Sequence, residues 1–248
     1  MVIECENTLN FLKETAKEYL KQFNIISIGI TGSAGKTTTK NFVVSILKRT
    51  SDTVFSQKNF NNEIGVPKTI FEVNKNIKYL VRERGMRAKG QIRDLAEICN
   101  LKYGIITGIG PSHLEYFKNI EEIALAKAEI SEIIFKNNGI LFLNGDDKYT
   151  GLIEKNIKCV SVKCGSSIDF KYNFSNCNCD RNAIYYFDLN RFDKNISHIN
   201  LNIPGYHNIY NSVLAAGLSL RLDIEPAIIR NAIKESTPEA LRMEIIEK

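Results

Sequence analysis

A segment at residues 31–39 has the composition of a phosphate-binding loop. It reads TGSAGKTTT and follows an apolar segment at 25–30. Its glycines allow the backbone to curl so that N–H groups point at phosphate oxygens, and a following helix adds the positive end of its dipole. Lys36 is then placed to reach the terminal phosphates, and the hydroxyl of Thr37 is placed to bind Mg²⁺. The predicted binding residues of this loop are Thr31, Gly32, Ser33, Ala34, Gly35, Lys36, Thr37 and Thr38.

Two more side chains with suitable chemistry follow segments that are typical of strands. Glu83 follows the apolar segment 79–81, and His113 follows the segment that ends near Ile109. Both residues would lie at the carboxyl ends of parallel strands, which is the edge where open α/β sheets bind ligands. An isolated histidine is more often packed in a core or exposed to solvent, so His113 alone does not decide the matter.

Lys127 interrupts an apolar stripe on the predicted helix 119–135. Isoleucines at 120, 123, 130 and 134 form this stripe, and Lys127 lies on the same face. An unpaired ammonium group there would be costly to desolvate. Two interpretations stay open: the side chain extends to solvent at the helix edge, or it is paired with a charge or chemically modified. Under the second, Lys127 lies within metal reach of His113.

The elements that position these residues alternate between strand and helix patterns. We predict a leading helix at 5–22, further helices at 36–48 and 119–135 and around IRDLAEIC, and strands at 25–30, 79–81, 103–110 and 139–144. Apolar strands alternating with helices indicate a mostly parallel, P-loop-type sheet with helices on both faces. We therefore predict an α/β fold.

The pattern changes between residues 158 and 203. Successive segments there are typical of strands around the polar turn SNCNCDRN, which predicts a small antiparallel β excursion appended to the α/β core. Helices are expected again at 208–222 and at 225–235, where Pro226 suits a first helical turn.

The composition is that of an ordinary globular protein. The 248 residues include 44% apolar and 25% charged residues, with a net charge of +5. Basic residues are interspersed with acids, which favours a solvated surface over a nucleic-acid surface. No apolar run approaches the ~20 residues that cross a bilayer, and the N-terminus does not resemble a signal peptide. We expect a cytoplasmic monomer without nucleic-acid partners or membrane insertion.

The six cysteines are expected to be reduced thiols. The alternative is a zinc site made by Cys159, Cys164, Cys177 and Cys179. Their C-x4-C and C-x-C spacings differ from the usual ligand pairs, which favours thiols without a metal.

Several segments, in their order along the chain, resemble motifs of the Mur ligase family. The segments NNEIGVP and GQIRDLAEI are most similar to the branch that adds D-alanyl-D-alanine. The phosphate loop has Ile30 where the longer G-x4-G-K-[ST] loop has its first glycine. The shorter loop is similar to that of Mur ligases and folylpolyglutamate synthetases. The resembling segments are NFNNEIGVPKTIF (59–71), GMRAKGQIRDLAEIC (85–99), GIITGIGPSHLEYF (104–117), ALAKAEI (124–130), LNGDD (143–147) and PGYHNIYNSVLAA (204–216).

The resemblance, which extends from about residue 6 to residue 246, implies an ATP-dependent amide ligase of peptidoglycan precursor synthesis. In such a ligase, ATP phosphorylates the carboxylate of UDP-N-acetylmuramoyl tripeptide, and the amine of D-Ala-D-Ala attacks the acyl phosphate. The protein contributes positioning and charge neutralisation. ATP and Mg²⁺ are the implied cofactors.

The resemblance also assigns roles around the metal ions. Lys36 would bind the β- and γ-phosphates, and Thr37 and Glu83 would hold one Mg²⁺. His113 and Lys127 would bind a second Mg²⁺. This lysine is often carbamylated in the family, which would make it an anionic oxygen ligand.

Four asparagine and arginine residues complete the implied nucleotide site. Asn62 resembles the family's asparagine near the phosphates. Asn208 and Asn211 resemble a pair that contacts adenine, and Arg242 resembles an arginine that meets the γ-phosphate.

The chain departs from the family pattern at three positions near this site. Arg82 and Arg84 flank Glu83, where the family has apolar residues, and strand alternation would direct them to the opposite face. Gly108 stands where the family usually has asparagine. Each change would weaken the site.

In domain terms, the resemblance assigns residues 1–24 to the helix that leads out of an N-terminal domain. It assigns residues 25–248 to the central ATP-binding domain, with the C-terminal amino-acid-binding domain absent. Two alternatives to a peptidoglycan ligase remain. One is a nucleotide-binding relative that no longer ligates, and the other is a ligase for another carboxylate, such as a folylpolyglutamate synthetase.

Overall fold

The computed structural model describes residues 4–57, 64–86, 90–112 and 115–237. Within these ranges, one sheet contains nine strands and is flanked by nine helices. The strands are β1 (Ile26–Thr31), β2 (Thr53–Phe55), β3 (Tyr79–Glu83), β4 (Tyr103–Ile106), β5 (Ile140–Asn144), β6 (Val160–Gly165), β7 (Tyr172–Cys179), β8 (Ile184–Arg191) and β9 (Lys194–Pro204). The helices are α1 (Thr8–Leu20), α2 (Lys36–Leu47), α3 (Gly65–Ile70), α4 (Gln91–Ile98), α5 (Ile120–Ala128), α6 (Ile130–Lys136), α7 (Thr150–Lys155), α8 (His207–Arg221) and α9 (Pro226–Lys234).

The sheet is mostly parallel and has an antiparallel end. Its strand order is β2-β3-β1-β4-β5-β6-β7-β8-β9. Each neighbouring pair from β2 to β7 is parallel, whereas β7, β8 and β9 pair antiparallel. The predicted α/β fold with an antiparallel excursion is therefore confirmed. One detail differs, because β6 lies inside the region 158–203 yet pairs parallel with β5.

Two apolar clusters fill the space between the sheet and the helices on its two faces. One cluster includes residues of α2, α8 and α9, such as Phe42 and Val213. The other includes residues of α1 and of α3 to α7, such as Leu95 and Ile134. Alternation along β3 decides which side chain joins which cluster: Val81 packs with the first and Leu80 with the second.

Several predicted boundaries were wrong. The expected helix 119–135 is two helices, α5 and α6, which meet at Glu129. The strand expected at 103–110 ends at Ile106, because the chain leaves the sheet there to reach the phosphate loop. The short elements β2, α3 and α7 were not predicted, since three to six residues give too little periodicity to detect.

The leading helix α1 packs against the core. Asn7 caps it by accepting a hydrogen bond from Asn10 N, and Ala16 and Leu20 are buried. Tyr19 contacts Phe71 with ring centroids 5.4 Å apart. Among the described residues, no helix is both long and apolar enough to span a membrane.

Candidate nucleotide and metal site

The phosphate loop connects β1 to α2, as the sequence predicts. Gly32 and Gly35 have φ angles of +152° and +79°, which L side chains adopt only with strain. Space is limiting as well, because a Cβ at Gly32 would collide with the hydroxyl of Thr107 and one at Gly35 with the amide of Asn211. Both glycines are therefore required by the loop conformation.

Ser33 ties the phosphate loop to the loop that follows β4. Its N–H donates to Gly108 O at 2.8 Å, and its hydroxyl donates to Gly110 O at 2.9 Å. The hydroxyl of Ser112 donates to Ser33 Oγ at 3.1 Å. The N–H of Ser33 is thus bonded to the neighbouring loop. Ser33 supports the phosphate loop through these contacts, which the sequence did not predict. Gly108 contributes through its backbone carbonyl.

Thr107 and Asp147 brace the same two loops. The hydroxyl of Thr107 donates to the carbonyls of Ala34 and Thr31. Oδ2 of Asp147 accepts from Ile109 N at 2.7 Å. Their types alone could not reveal these roles, since the contacts link segments more than 35 residues apart.

Lys36 opens α2 and folds back over the loop. Its Nζ donates to Ser33 O at 3.3 Å, while Ala34 is exposed and Thr38 is partly exposed. The first N–H groups of a helix have no partner within the helix, so this end of α2 suits an anion.

Thr31 is fully buried, and its hydroxyl makes no hydrogen bond with any described residue.

Glu83 lies beside this helix start, at the end of the neighbouring strand. Its pairing with Ile30 places it level with the end of β1, and the residue is 6% exposed. Oε1 of Glu83 accepts a hydrogen bond from Thr37 Oγ1 at 2.8 Å. The structure therefore brings together the two residues expected to hold one Mg²⁺.

Lys40 and Ser56 complete the surroundings of Glu83, and the sequence analysis missed both. Lys40 Nζ lies 3.5 Å from Glu83 Oε2 and donates to Ser56 O at 3.3 Å. Ser56 Oγ accepts from Glu83 N at 3.1 Å. The spacing of Lys40 from Lys36 by one helical turn was a usable signal, because both side chains then lie on one face of α2.

Arg82 and Arg84 are buried next to Glu83 in the chain. Arg82 is 0% exposed and Arg84 is 8% exposed. Arg82 has the same strand parity as Leu80 and interacts electrostatically with Cys99 of the second apolar cluster, as alternation predicts. Burial lowers the pKa of Arg82.

Lys127 is buried and points at the phosphate loop. It is 1% exposed, and its Nζ donates to Gly32 O at 3.0 Å. Burial, together with the charge of Lys36, lowers the pKa of Lys127 to about 7. The interpretation that this side chain extends to solvent is therefore wrong, and its partner among the described residues is a backbone carbonyl.

Asn208 and Asn211 lie on the first turns of α8, beneath the phosphate loop. They are 1% and 4% exposed. Asn211 Nδ2 donates to Asn208 Oδ1 at 2.9 Å, and Asn211 Oδ1 accepts from Thr39 Oγ1 at 3.2 Å. Asn208 Nδ2 donates to Pro204 O at 2.7 Å. The contacts shown attach α8 to α2, and contact with adenine stays a prediction.

Three predicted site residues lie outside the described ranges. They are Asn62, His113 and Arg242. Their predicted contacts with phosphate and metal therefore stay predictions.

The donor atoms at Thr37 and Glu83 fit Mg²⁺. A hydroxyl and a carboxylate are hard oxygen ligands, and Mg²⁺ commonly uses one or two protein oxygens together with phosphate oxygens and water. At Lys127 the described donor is an ammonium group, which does not fit a metal ion unless it is modified. Among the described residues, no three His, Cys, Asp or Glu side chains are grouped to hold a metal ion. All six cysteines, which are described, are free thiols.

Comparison with known proteins identifies the family. The model of the Mur ligase middle domain matches residues 30–219. The chain belongs to the Mur ligase family. A UDP-N-acetylmuramoyl-tripeptide–D-alanyl-D-alanine ligase of Bacillus subtilis (strain 168) is 30% identical over 246 residues, which cover 99% of this chain and 52% of that protein. The ligase of the same name from Buchnera aphidicola subsp. Baizongia pistaciae is 33% identical, over 97% of this chain and 52% of that protein.

Solved structures of Mur ligases have the same fold. Crystal structure I of MurF from Acinetobacter baumannii is 26% identical, with a TM-score of 0.90 over 100% of this chain and 56% of that one. MurF ligase from Thermotoga maritima in complex with ADP is 22% identical, with a TM-score of 0.84 over 99% and 56%. The chain thus spans about half the length of the relatives it matches, and the resemblance seen in the sequence is confirmed.

Proposed function

We propose that this chain is the ATP-binding part of the ligase that adds D-Ala-D-Ala to UDP-N-acetylmuramoyl tripeptide. The observation that carries the proposal is the hydrogen bond between Thr37 and Glu83 beside a glycine-shaped phosphate loop. The names of the relatives supply the substrates, and the bound ADP in the Thermotoga maritima ligase supports ATP as the nucleotide. Residues 1–24 then form the lead-in from an N-terminal domain.

The reaction consists of two transfers that the site can support. An oxygen of the tripeptide carboxylate attacks the γ-phosphorus, and ADP leaves. The neutral amine of D-Ala-D-Ala then attacks the acyl carbon through a tetrahedral intermediate. Phosphate leaves, and the nitrogen releases a proton to solvent as the amide bond forms. In this scheme Lys36 and the start of α2 neutralise phosphate charge. Mg²⁺ held by Thr37 and Glu83 would neutralise charge on the β- and γ-phosphates.

Lys127 is proposed as the residue that becomes a carbamate. Its pKa of about 7 leaves much of the side chain as a neutral amine at neutral pH. A neutral amine attacks CO₂, which forms an N–C bond and releases a proton to solvent. The product would be an anion behind the phosphate loop. The nearby positive charge of Lys36 disfavours an ammonium group at this position and favours an anion. With His113 it would provide the second Mg²⁺ site.

A nucleotide-binding relative without ligase activity is the second candidate. The buried Arg82 and Arg84 favour it, because cations next to Glu83 oppose a divalent ion there. Strand alternation places Arg82 on the face opposite Glu83, which limits this effect and favours the ligase. We further propose a cytoplasmic monomer.

Calorimetry of ATP binding, with Mg²⁺ and with EDTA, tests the proposal. We expect Mg²⁺ to strengthen ATP binding. We expect no phosphate release when the 248-residue chain is given UDP-N-acetylmuramoyl tripeptide and D-Ala-D-Ala, since flanking domains must align these substrates. Equal affinity for ATP with Mg²⁺ and with EDTA would contradict the metal role. Phosphate release that depends on both substrates would show that this chain suffices.

A further inference from the structure

Lys40 is a buried cation next to the candidate metal site. It is 3% exposed, on the face of α2 that also carries Lys36. Among the residues that the structure describes, its Nζ contacts Glu83 Oε2 at 3.5 Å and Ser56 O at 3.3 Å. Burying a lysine costs free energy unless its charge is paired. The ion pair with Glu83 therefore accounts for a lysine at this buried position.

The contacts of Glu83 are divided between its two carboxylate oxygens. Oε1 faces the hydroxyl of Thr37, and Oε2 faces Lys40. The backbone N–H of Glu83 is held by Ser56 Oγ. Thus one oxygen is aimed at the phosphate loop while the opposite side of the carboxylate is anchored.

The residues of this contact network come from three separate parts of the fold. Lys40 lies in α2, Ser56 follows β2, and Glu83 ends β3. The Lys40 ammonium bridges the first element to the other two, so rotation of the carboxylate would break the pair. Groups that orient a metal ligand in this way typically change metal affinity about 10- to 100-fold when they are removed.

We propose that Lys40 is a positioning residue that holds Glu83 with Oε1 toward the metal ion, and so sets the affinity for Mg²⁺. This inference rests on the proposed nucleotide and Mg²⁺ site. Lys40 does not contact the metal ion in this scheme. It acts through Glu83, and that distinguishes it from Lys36.

The test uses Lys40→Met in the full 248-residue chain. The measured quantity is the ratio of the Kd for ATP in EDTA to the Kd in Mg²⁺, by calorimetry. We expect this ratio to fall about 10-fold in Lys40→Met, with the Kd in EDTA nearly unchanged. Lys40→Arg should retain more of the ratio, because its guanidinium can still bond a carboxylate. Lys48→Met, at an exposed position after the same helix, is the matched control for lost charge.

A double-mutant cycle separates this role from a structural one. Lys40→Met should have no further effect on the ratio when Glu83→Gln is already present. The double variant also removes the uncompensated buried charge, so it folds even if Lys40→Met alone does not. An unchanged or increased ratio in Lys40→Met overturns the inference. So does a loss of the ratio on adding Lys40→Met to Glu83→Gln that equals its loss in the parent chain. If the parent chain shows no Mg²⁺ effect, the proposed metal site fails as well.

Discussion

The hydroxyl of Thr37 donates a 2.8 Å hydrogen bond to Oε1 of Glu83, although the two residues are 46 positions apart. Thr37 lies in the first turn of α2, and Glu83 is the last residue of β3. Because β3 lies directly beside β1, whose end begins the phosphate loop, the two oxygens meet at one edge of the sheet. This pair is the center of the candidate metal site.

Replacing Glu83 with glutamine should weaken the effect of Mg²⁺ on nucleotide binding without removing it, because Thr37 and the phosphate oxygens remain as ligands. Glutamine keeps an oxygen that can accept from Thr37 but loses the charge that attracts the metal ion. We expect the ratio of the Kd for ATP in EDTA to that in Mg²⁺ to fall at least about 10-fold. Calorimetry of both states checks this, and a Mg²⁺ effect equal to that of the parent would rule out Glu83 as a ligand.

Replacing Lys36 with alanine should weaken ATP binding strongly. A charged hydrogen bond to phosphate contributes about 2 kcal/mol, which is roughly 30-fold in Kd. Unlike Glu83→Gln, this change should weaken binding in EDTA as well as in Mg²⁺. Lys48→Ala is the control, since it removes one exposed charge from the end of the same helix. Equal affinity in Lys36→Ala and the parent would sink the phosphate-loop assignment.

Replacing Gly35 with alanine should destabilise the chain by about 2 kcal/mol. Gly35 has a φ of +79°, and an added Cβ would collide with the Asn211 amide. Gly151→Ala is a matched control, because Gly151 lies in α7 with nothing within 4 Å of an added Cβ. That change should stabilise the chain by about 0.5–1 kcal/mol. Urea unfolding measures both, and equal effects would contradict the strain at Gly35.

Replacing Lys127 with methionine should stabilise the metal-free chain most at low pH. The pKa of Lys127 is about 7 in the folded chain against an ordinary value of 10.5. Between these values the unfolded chain holds a proton that the folded chain has lost. The stability of the parent therefore rises with pH in this window, by up to about 1.4 kcal/mol per unit. Below pH 7 both states are protonated, and burial of the charge has its full cost.

The measurement is urea unfolding at pH 6 to 9, in EDTA and buffer depleted of CO₂. The advantage of Lys127→Met over the parent should be largest near pH 6 and should shrink as the pH rises to 9. Lys48→Met, at an exposed position, should show no such trend. A difference that is constant across this range would show that the Lys127 amine does not titrate near pH 7.

Local sequence was sufficient where the physical cause is local. The run TGSAGKTTT predicts a loop between a strand and a helix because glycine conformation and helix dipoles act within a few residues. Alternation predicts that Arg82 faces away from Glu83, and the electrostatic interaction of Arg82 with Cys99, a member of the second apolar cluster, agrees with this. The mostly parallel sheet followed from apolar strands that alternate with helices.

Only the tertiary structure showed which distant residues support the site. Lys40 and Ser56 meet Glu83 because β2, β3 and α2 are neighbours, and strand order is not written in the spacing of any motif. Lys127 had two interpretations because helical periodicity defines a face but not what covers it. The packing of α5 against the phosphate loop excluded the one that extends to solvent, by placing Gly32 O 3.0 Å from the buried amine. Pairing with a charge or modification stays a prediction. Sequence alone thus determined the types of residue available for chemistry, whereas packing between distant segments decided their partners and lowered the pKa of Lys127.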